Sequence, residues 1–174
     1  NKKSKGHVFD YDAADVIDTL AYFLKDRDEN IWVRRHIPAT LALLPAQRSM
    51  NVLLDALDDP DGFLRYKVVV AIEKLRRDHP ELVLTRGSVE ALVLKESLRY
   101  YDYLTLRYNL VQRDAQAQQS LLVHALEDKL ERTFDRVYRL LGLIYPWKDV
   151  AAARYTIEYG HGRTRAGAIE YMDN

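Results

Sequence analysis

One pattern is written twice in the first half of this chain and again near its end, and that repetition limits what the chain can fold into. The first copy reads Leu24-Lys25-Asp26, a polar turn, then Val33-Arg34-x-x-Ile37-x-x-Thr40-Leu41-x-x-Leu44. The second follows 31 to 33 residues later as Leu57-Asp58-Asp59, a turn, then Leu64-Arg65-x-x-Val68-x-x-Ala71-Ile72-x-x-Leu75. The third is Ile157, a Gly160-His161-Gly162 turn, then Thr164-Arg165-x-x-Ala168-x-x-Tyr171-Met172. Each copy spans a helical hairpin that cannot bury its apolar faces alone, so neighbouring copies must stack.

Helical periodicity runs through the chain and strand signals are nearly absent. The spacing predicts a helix over 13–25, with Val16, Ile17, Leu20, Phe23 and Leu24 on one face. A second is expected over about 30–44, kinked at Pro38 where the carbonyl of Arg34 loses its partner, and ended by Pro45. A third covers about 46–57, with Val52, Leu53, Ala56 and Leu57 inward. The turn Asp59-Pro60-Asp61-Gly62 caps a fourth over about 62–77, which stops before His79-Pro80.

The period then breaks. Residues 88–112 and 116–145 each read as one long helix, together an antiparallel hairpin much longer than a repeat. The second of these carries the stripe Leu122, Leu126, Leu130, Phe134, Val137, Leu141 and Ile144. Asp128/Arg132 and Asp135/Arg139 stand on its polar face in the acid-first order that favours a helix. The expected fold is therefore all-α: an α-solenoid of helical hairpins (about 13–45, 46–80 and 149–174) interrupted by the long hairpin at about 88–145. It would form a single domain over 13–174 behind a flexible segment, 1–12.

The repeated unit resembles a HEAT repeat, with its Asp-containing turn, the following Val-Arg and the spaced small or apolar residues. Four segments carry a narrower resemblance: 33–38 (VRRHIP), 57–67 (LDDPDGFLRYK), 135–146 (DRVYRLLGLIYP) and 168–174 (AIEYMDN). They are similar to the HEAT-like region of bacterial proteins in which that region follows an ATP/ADP-translocase-like or major-facilitator transporter domain, often with a cyclic-nucleotide-binding domain after it. The resemblance implies a cytoplasmic interaction or regulatory module attached to a transporter. It carries over no functional residue, because no transporter or nucleotide-binding motif lies in this chain. A chain that starts without Met and stops on Asp173-Asn174 with no closing turn is expected to be a piece of a longer polypeptide.

Charge argues in the same direction. Lys+Arg and Asp+Glu both total 26, and the balance holds in each half, so no long-range field draws in nucleic acid or anionic lipid. Arg132, Arg136 and Arg139 form a local basic line, offset by interleaved acids. The absence of cysteine rules out disulfides and thiolate metal sites. The five histidines, His7, His36, His79, His124 and His161, make no metal-binding or catalytic spacing. Gly160-His161-Gly162 follows a helix rather than a strand and reads as the repeat turn, not a phosphate loop. No catalytic residue, cofactor or metal is expected, and the partners expected are proteins, either neighbouring domains or a separate chain. A free-standing scaffold for a protein or peptide is the alternative; a nucleic-acid glycosylase or metal hydroxylase comes third.

Two groups of residues stand out. Arg34, Arg65 and Arg165 occupy equivalent positions, with Asp26, Asp28, Asp59 and Asp61 in the preceding turns to pair with them, so they read as structural ladders. The segment 98–108 carries apolar residues on two sides. Leu92/Val93, Tyr100, Tyr103/Leu104 and Val111 can face the partner helix, while Leu94, Leu98, Tyr101 and Tyr108 point elsewhere. That second stripe either packs against the helix at 62–77 or binds a partner, and Leu98, Tyr101, Arg107 and Tyr108 are the candidate contacts.

Overall fold

A computed structural model describes residues 12–113, 118–164, 166–167 and 170. These include seven α-helices and no strand: α1 Ala13–Lys25, α2 Ile31–Leu41, α3 Gln47–Ala56, α4 Gly62–Asp78, α5 Arg86–Arg113, α6 Leu121–Leu141 and α7 Trp147–Tyr159. The chain divides into two compact units, one ending at Val83 and the other starting at Leu84.

Helix starts follow local capping chemistry. Asp12, Asn30, Asp61 and Ser120 each accept a hydrogen bond from a first-turn backbone N–H, satisfying a donor that has no partner inside the helix. Two helices end earlier than their apolar periodicity suggests, and for one reason. α2 stops at Leu41 and α6 at Leu141; beyond each, the chain tightens into i→i+3 bonds, Leu44 to Leu41 at 3.0 Å and Ile144 to Leu141 at 3.1 Å. Pro45 and Pro146 follow, and a residue before proline is pushed out of the helical region. α6 also starts later than expected, because Ser120 caps it.

In the first unit α1 packs on α2 and α3, while α4 packs on α2 and α3, so the two hairpins stack. Three pairs of equivalent apolar repeat positions are buried alike, Leu24 and Leu57, Ile37 and Val68, and Leu41 and Ile72, whereas Val33 and Thr40 are exposed where Leu64 and Ala71 are buried. Val52, Leu53, Ala56 and Leu57 turn inward as expected, with Met50 beside them. Phe23 does not. Ile17 and Leu24 form the buried line of α1, and Phe23, one residue round the helix from Leu24, is exposed with its ring edge against Tyr22.

In the second unit α5 packs along α6, and α7 on α6. The α5–α6 contacts step in opposite directions along the two helices: Glu96 meets Arg136, Tyr100 meets Phe134, Tyr103 meets Lys129, and Arg107 meets Glu127. The hairpin is antiparallel. Its inner face differs from the expected stripe at the start of α6, where Val123 is buried and Leu122 is exposed. Leu104, expected to face α6, is also partly exposed, whereas Val89 is buried.

Candidate interaction surface and the ion pairs beneath it

The repeat arginines are anchored in the turns. Arg34 is buried; its Nε donates to the carbonyl of Leu24 at 3.0 Å, and its guanidinium binds the Asp59 carboxylate of the following repeat. Arg65, also buried, donates to the carbonyls of Asp59 at 2.7 Å and Pro60 at 3.0 Å. Arg34 therefore ties its own turn to the next, and Arg65 braces that next turn from within. Arg165 lies outside the described residues.

Arg35, which the repeat pattern does not mark, completes this cluster. It grips Asp61 with both Nε (3.2 Å) and a terminal nitrogen (2.6 Å), and sits over the rings of Trp32 and Phe63. Burial favours the neutral form of Asp61, but the bonds from Arg35 and from the Leu64 N–H together hold its carboxyl below the usual aspartate range. The only hint in the sequence is that a second arginine adjoins the marked one.

The second unit hides an ion pair in its seam. Glu96 and Arg136 are both buried, joined at 2.9 Å; Arg99 donates to the other Glu96 oxygen at 2.7 Å, and Arg136 also donates to Thr133 at 2.8 Å. The basic line expected on α6 is thus not a line on the surface. Arg136 points into the hairpin, and Arg139 and Arg154 share Asp135 at 2.8 Å each. Burial works against the charged form of Asp135, and those two arginines outweigh it, holding its carboxyl below the ordinary value. Arg154 also lies over the ring of Tyr138, whose phenol is pushed up to about 12, first by burial and then by the charge of Glu158.

Of the four candidate contacts, three stand together. Leu98, Tyr101 and Tyr108 are exposed on α5, at 56%, 62% and 61% of their full accessibility, and Leu94 joins them at 61%. Arg107 stands apart. Both its Nε and a terminal nitrogen donate to one oxygen of Glu127 on α6, at 2.9 and 2.7 Å. That bond holds the Glu127 carboxyl below its usual range, and Arg107 serves the hairpin rather than the exposed stripe.

His79 pairs with Glu81 at 3.1 Å, and His124 lies 3.5 Å from Glu127. Gly160 closes α7 by donating to Thr156 at 2.8 Å, and Gly162 has a φ of +55°, which favours glycine at that turn. No group of three or more His, Asp or Glu side chains among the described residues is placed to hold a metal ion. Among those residues no helix is long and apolar enough to cross a membrane. No family model, curated protein or solved structure matches the chain.

Proposed function

We propose that this chain is a non-catalytic helical interaction module whose working surface is the face of α5 that carries Leu94, Leu98, Tyr101 and Tyr108. One observation carries the reading: α5 commits one side to α6 and leaves four large apolar side chains on another side in solvent. Soluble proteins tolerate scattered apolar residues on the surface, but a continuous stripe at helical spacing is what a partner helix or groove covers. Tyr suits such a surface because it buries area at low entropic cost and keeps a polar tip. The buried charges in the described residues meet opposite charges or main-chain carbonyls nearby, which fits a scaffold role for them.

The resemblance of the repeats adds a setting: a cytoplasmic module beside a transporter domain in a longer polypeptide. The full reading frame tests that setting, since about a dozen apolar helices upstream would support it and a start codon just upstream would remove it. The surface itself is tested by placing a photo-crosslinking residue at Tyr101 or Tyr108 in the intact polypeptide. Cross-links well above those from a control site at Lys74 are expected, and equal yields at all three sites would contradict the reading.

A further inference from the structure

The exposed face of α5 has a finer order than its four large residues suggest. From Gly87 to Gln112 the positions on this face recur in alternating steps of four and three residues, and every one of the eight is exposed. That is the spacing of the seam along which one helix packs against another in a coiled coil. The seam rises about 37 Å along the helix at 1.5 Å per residue. It lies nearly opposite the side on which Val89 and Glu96 are buried. Small residues (Gly87, Ala91) gather at its beginning and bulky ones (Tyr101, Tyr108) towards its end.

We infer that this seam packs against the same seam of a second copy of the chain, with the two α5 helices antiparallel about a two-fold axis near Arg99 and Tyr100. The inference rests on the reading above that the face is an interface, and it names the occupant. Antiparallel packing sets Leu98 against Tyr101 of the second copy, Leu94 against Thr105, Ala91 against Tyr108 and Gly87 against Gln112. Small meets large in the outer layers, so the two helices keep an even separation. The contact is isologous, as a two-fold interface must be.

Charge selects this register. Lys95 and Asp102 flank the seam on one side. In the register just described Lys95 of each copy faces Asp102 of the other, giving two equivalent opposite-charge pairs. A slip of one heptad in one direction sets Lys95 against Lys95, and a slip in the other sets Asp102 against Asp102. Like charges across a seam disfavour both slips. A parallel pairing would stack each residue on its own copy, with Gly87 and Ala91 leaving one end thin while Tyr101 and Tyr108 crowd the other.

Sedimentation equilibrium of the full chain over a wide concentration range is the test. A reversible dimer is expected. Asp102→Lys and Lys95→Asp should each weaken it at least tenfold, and an equimolar mixture of the two variants should recover the affinity, since every flanking pair in the mixed dimer is again opposite in charge. The chain has no cysteine, so introduced thiols report geometry cleanly. Leu94→Cys combined with Thr105→Cys should link two copies on oxidation, and Leu94→Cys alone should not.

A monomer at all concentrations, a dimer indifferent to both charge changes, or ready linking through Leu94→Cys alone would overturn the inference. If the chain is monomeric, Leu98→Asp combined with Tyr101→Asp separates the two failures. A double variant that keeps the parent's melting temperature leaves the face exposed for another partner. One that unfolds shows that the face belongs to a core, and the interface reading falls with it.

Discussion

The stacked repeats and the long hairpin use apolar surface in opposite ways. In α4, a helix of 17 residues, seven residues are buried, and in α5, a helix of 28, only Val89 and Glu96 are. The repeats are held by a turn cluster in which Arg34, Arg35 and Arg65 bind carboxylates and carbonyls of the loop at 59–61. The hairpin is held by a seam of aromatic contacts and one buried ion pair. A helix that outruns what its core needs has surface to spare. In α5 that surface is ordered rather than scattered.

The largest effects should come from the buried charges on either side of this comparison. Removing one partner of a buried pair leaves an uncompensated charge and costs about 3–5 kcal/mol. Arg34→Ala should therefore loosen the repeat unit by that amount in guanidinium denaturation, and Glu96→Ala should do the same to the hairpin. Arg65→Ala should cost less, about 1–3 kcal/mol, because the groups it abandons include main-chain carbonyls. The two regions should part company when both partners go. Glu96→Leu with Arg136→Met replaces charge with apolar volume inside an apolar seam, and should recover most of the loss or stabilise. A double variant as unstable as Glu96→Ala would show that the pair organises the hairpin in a way that packing cannot replace.

Acid provides the next contrast. Asp61 in the repeats and Asp135 in the hairpin both have folded values held below the ordinary 3.8. The stability they contribute is fully present above the unfolded value and is lost as pH falls through the folded one. Thermal midpoints should thus hold down to about pH 4 and then decline, with Asp61→Asn and Asp135→Asn each flattening part of the slope. Tyr138 acts at the other end. Its phenol ionises near 10 when unfolded and near 12 when folded, so stability should fall as pH rises through that window, and Tyr138→Phe should remove that component. The smallest effects belong to the exposed stripe, where Leu98→Ala should change the stability of the dilute chain by less than about 0.5 kcal/mol.

How much of this was legible in the sequence follows from what periodicity can carry. It marks which side of a helix is apolar, so the two hairpins of the first unit, the order of helices and the two-sided character of α5 could be read directly, while Arg165, Ala168, Tyr171 and Met172 of the third copy lie outside the described residues. Arg34 and Arg65 were also visible, since a repeat exposes equivalent positions. Pairing between helices leaves no such trace. Glu96 and Arg136 lie 40 residues apart, and nothing in either helix alone distinguishes a buried Arg136 from its exposed neighbour Arg132. Arg107 misled through its residue type: arginine is a common interface anchor, but at 3.6 residues per turn it lies on a different side of α5 from Leu98, Tyr101 and Tyr108, and its partner Glu127 sits on the other helix. Leu122 and Phe23 show a further limit. Each satisfies the helical spacing, and each lies one residue round the helix from a buried neighbour, Val123 or Leu24.

Hydroxyl-radical footprinting of the tyrosines tests the central claim most directly, because Tyr101, Tyr108 and Tyr138 occupy one hairpin and differ in what covers them. In the dilute chain Tyr101 and Tyr108 should be oxidised at rates close to those of an unfolded peptide, while Tyr138, 2% exposed, stays protected. At high concentration the first two should become protected and Tyr138 should not change. Tyr101 and Tyr108 as slow as Tyr138 at every concentration would contradict the account, since the stripe would then be part of the core of the folded chain.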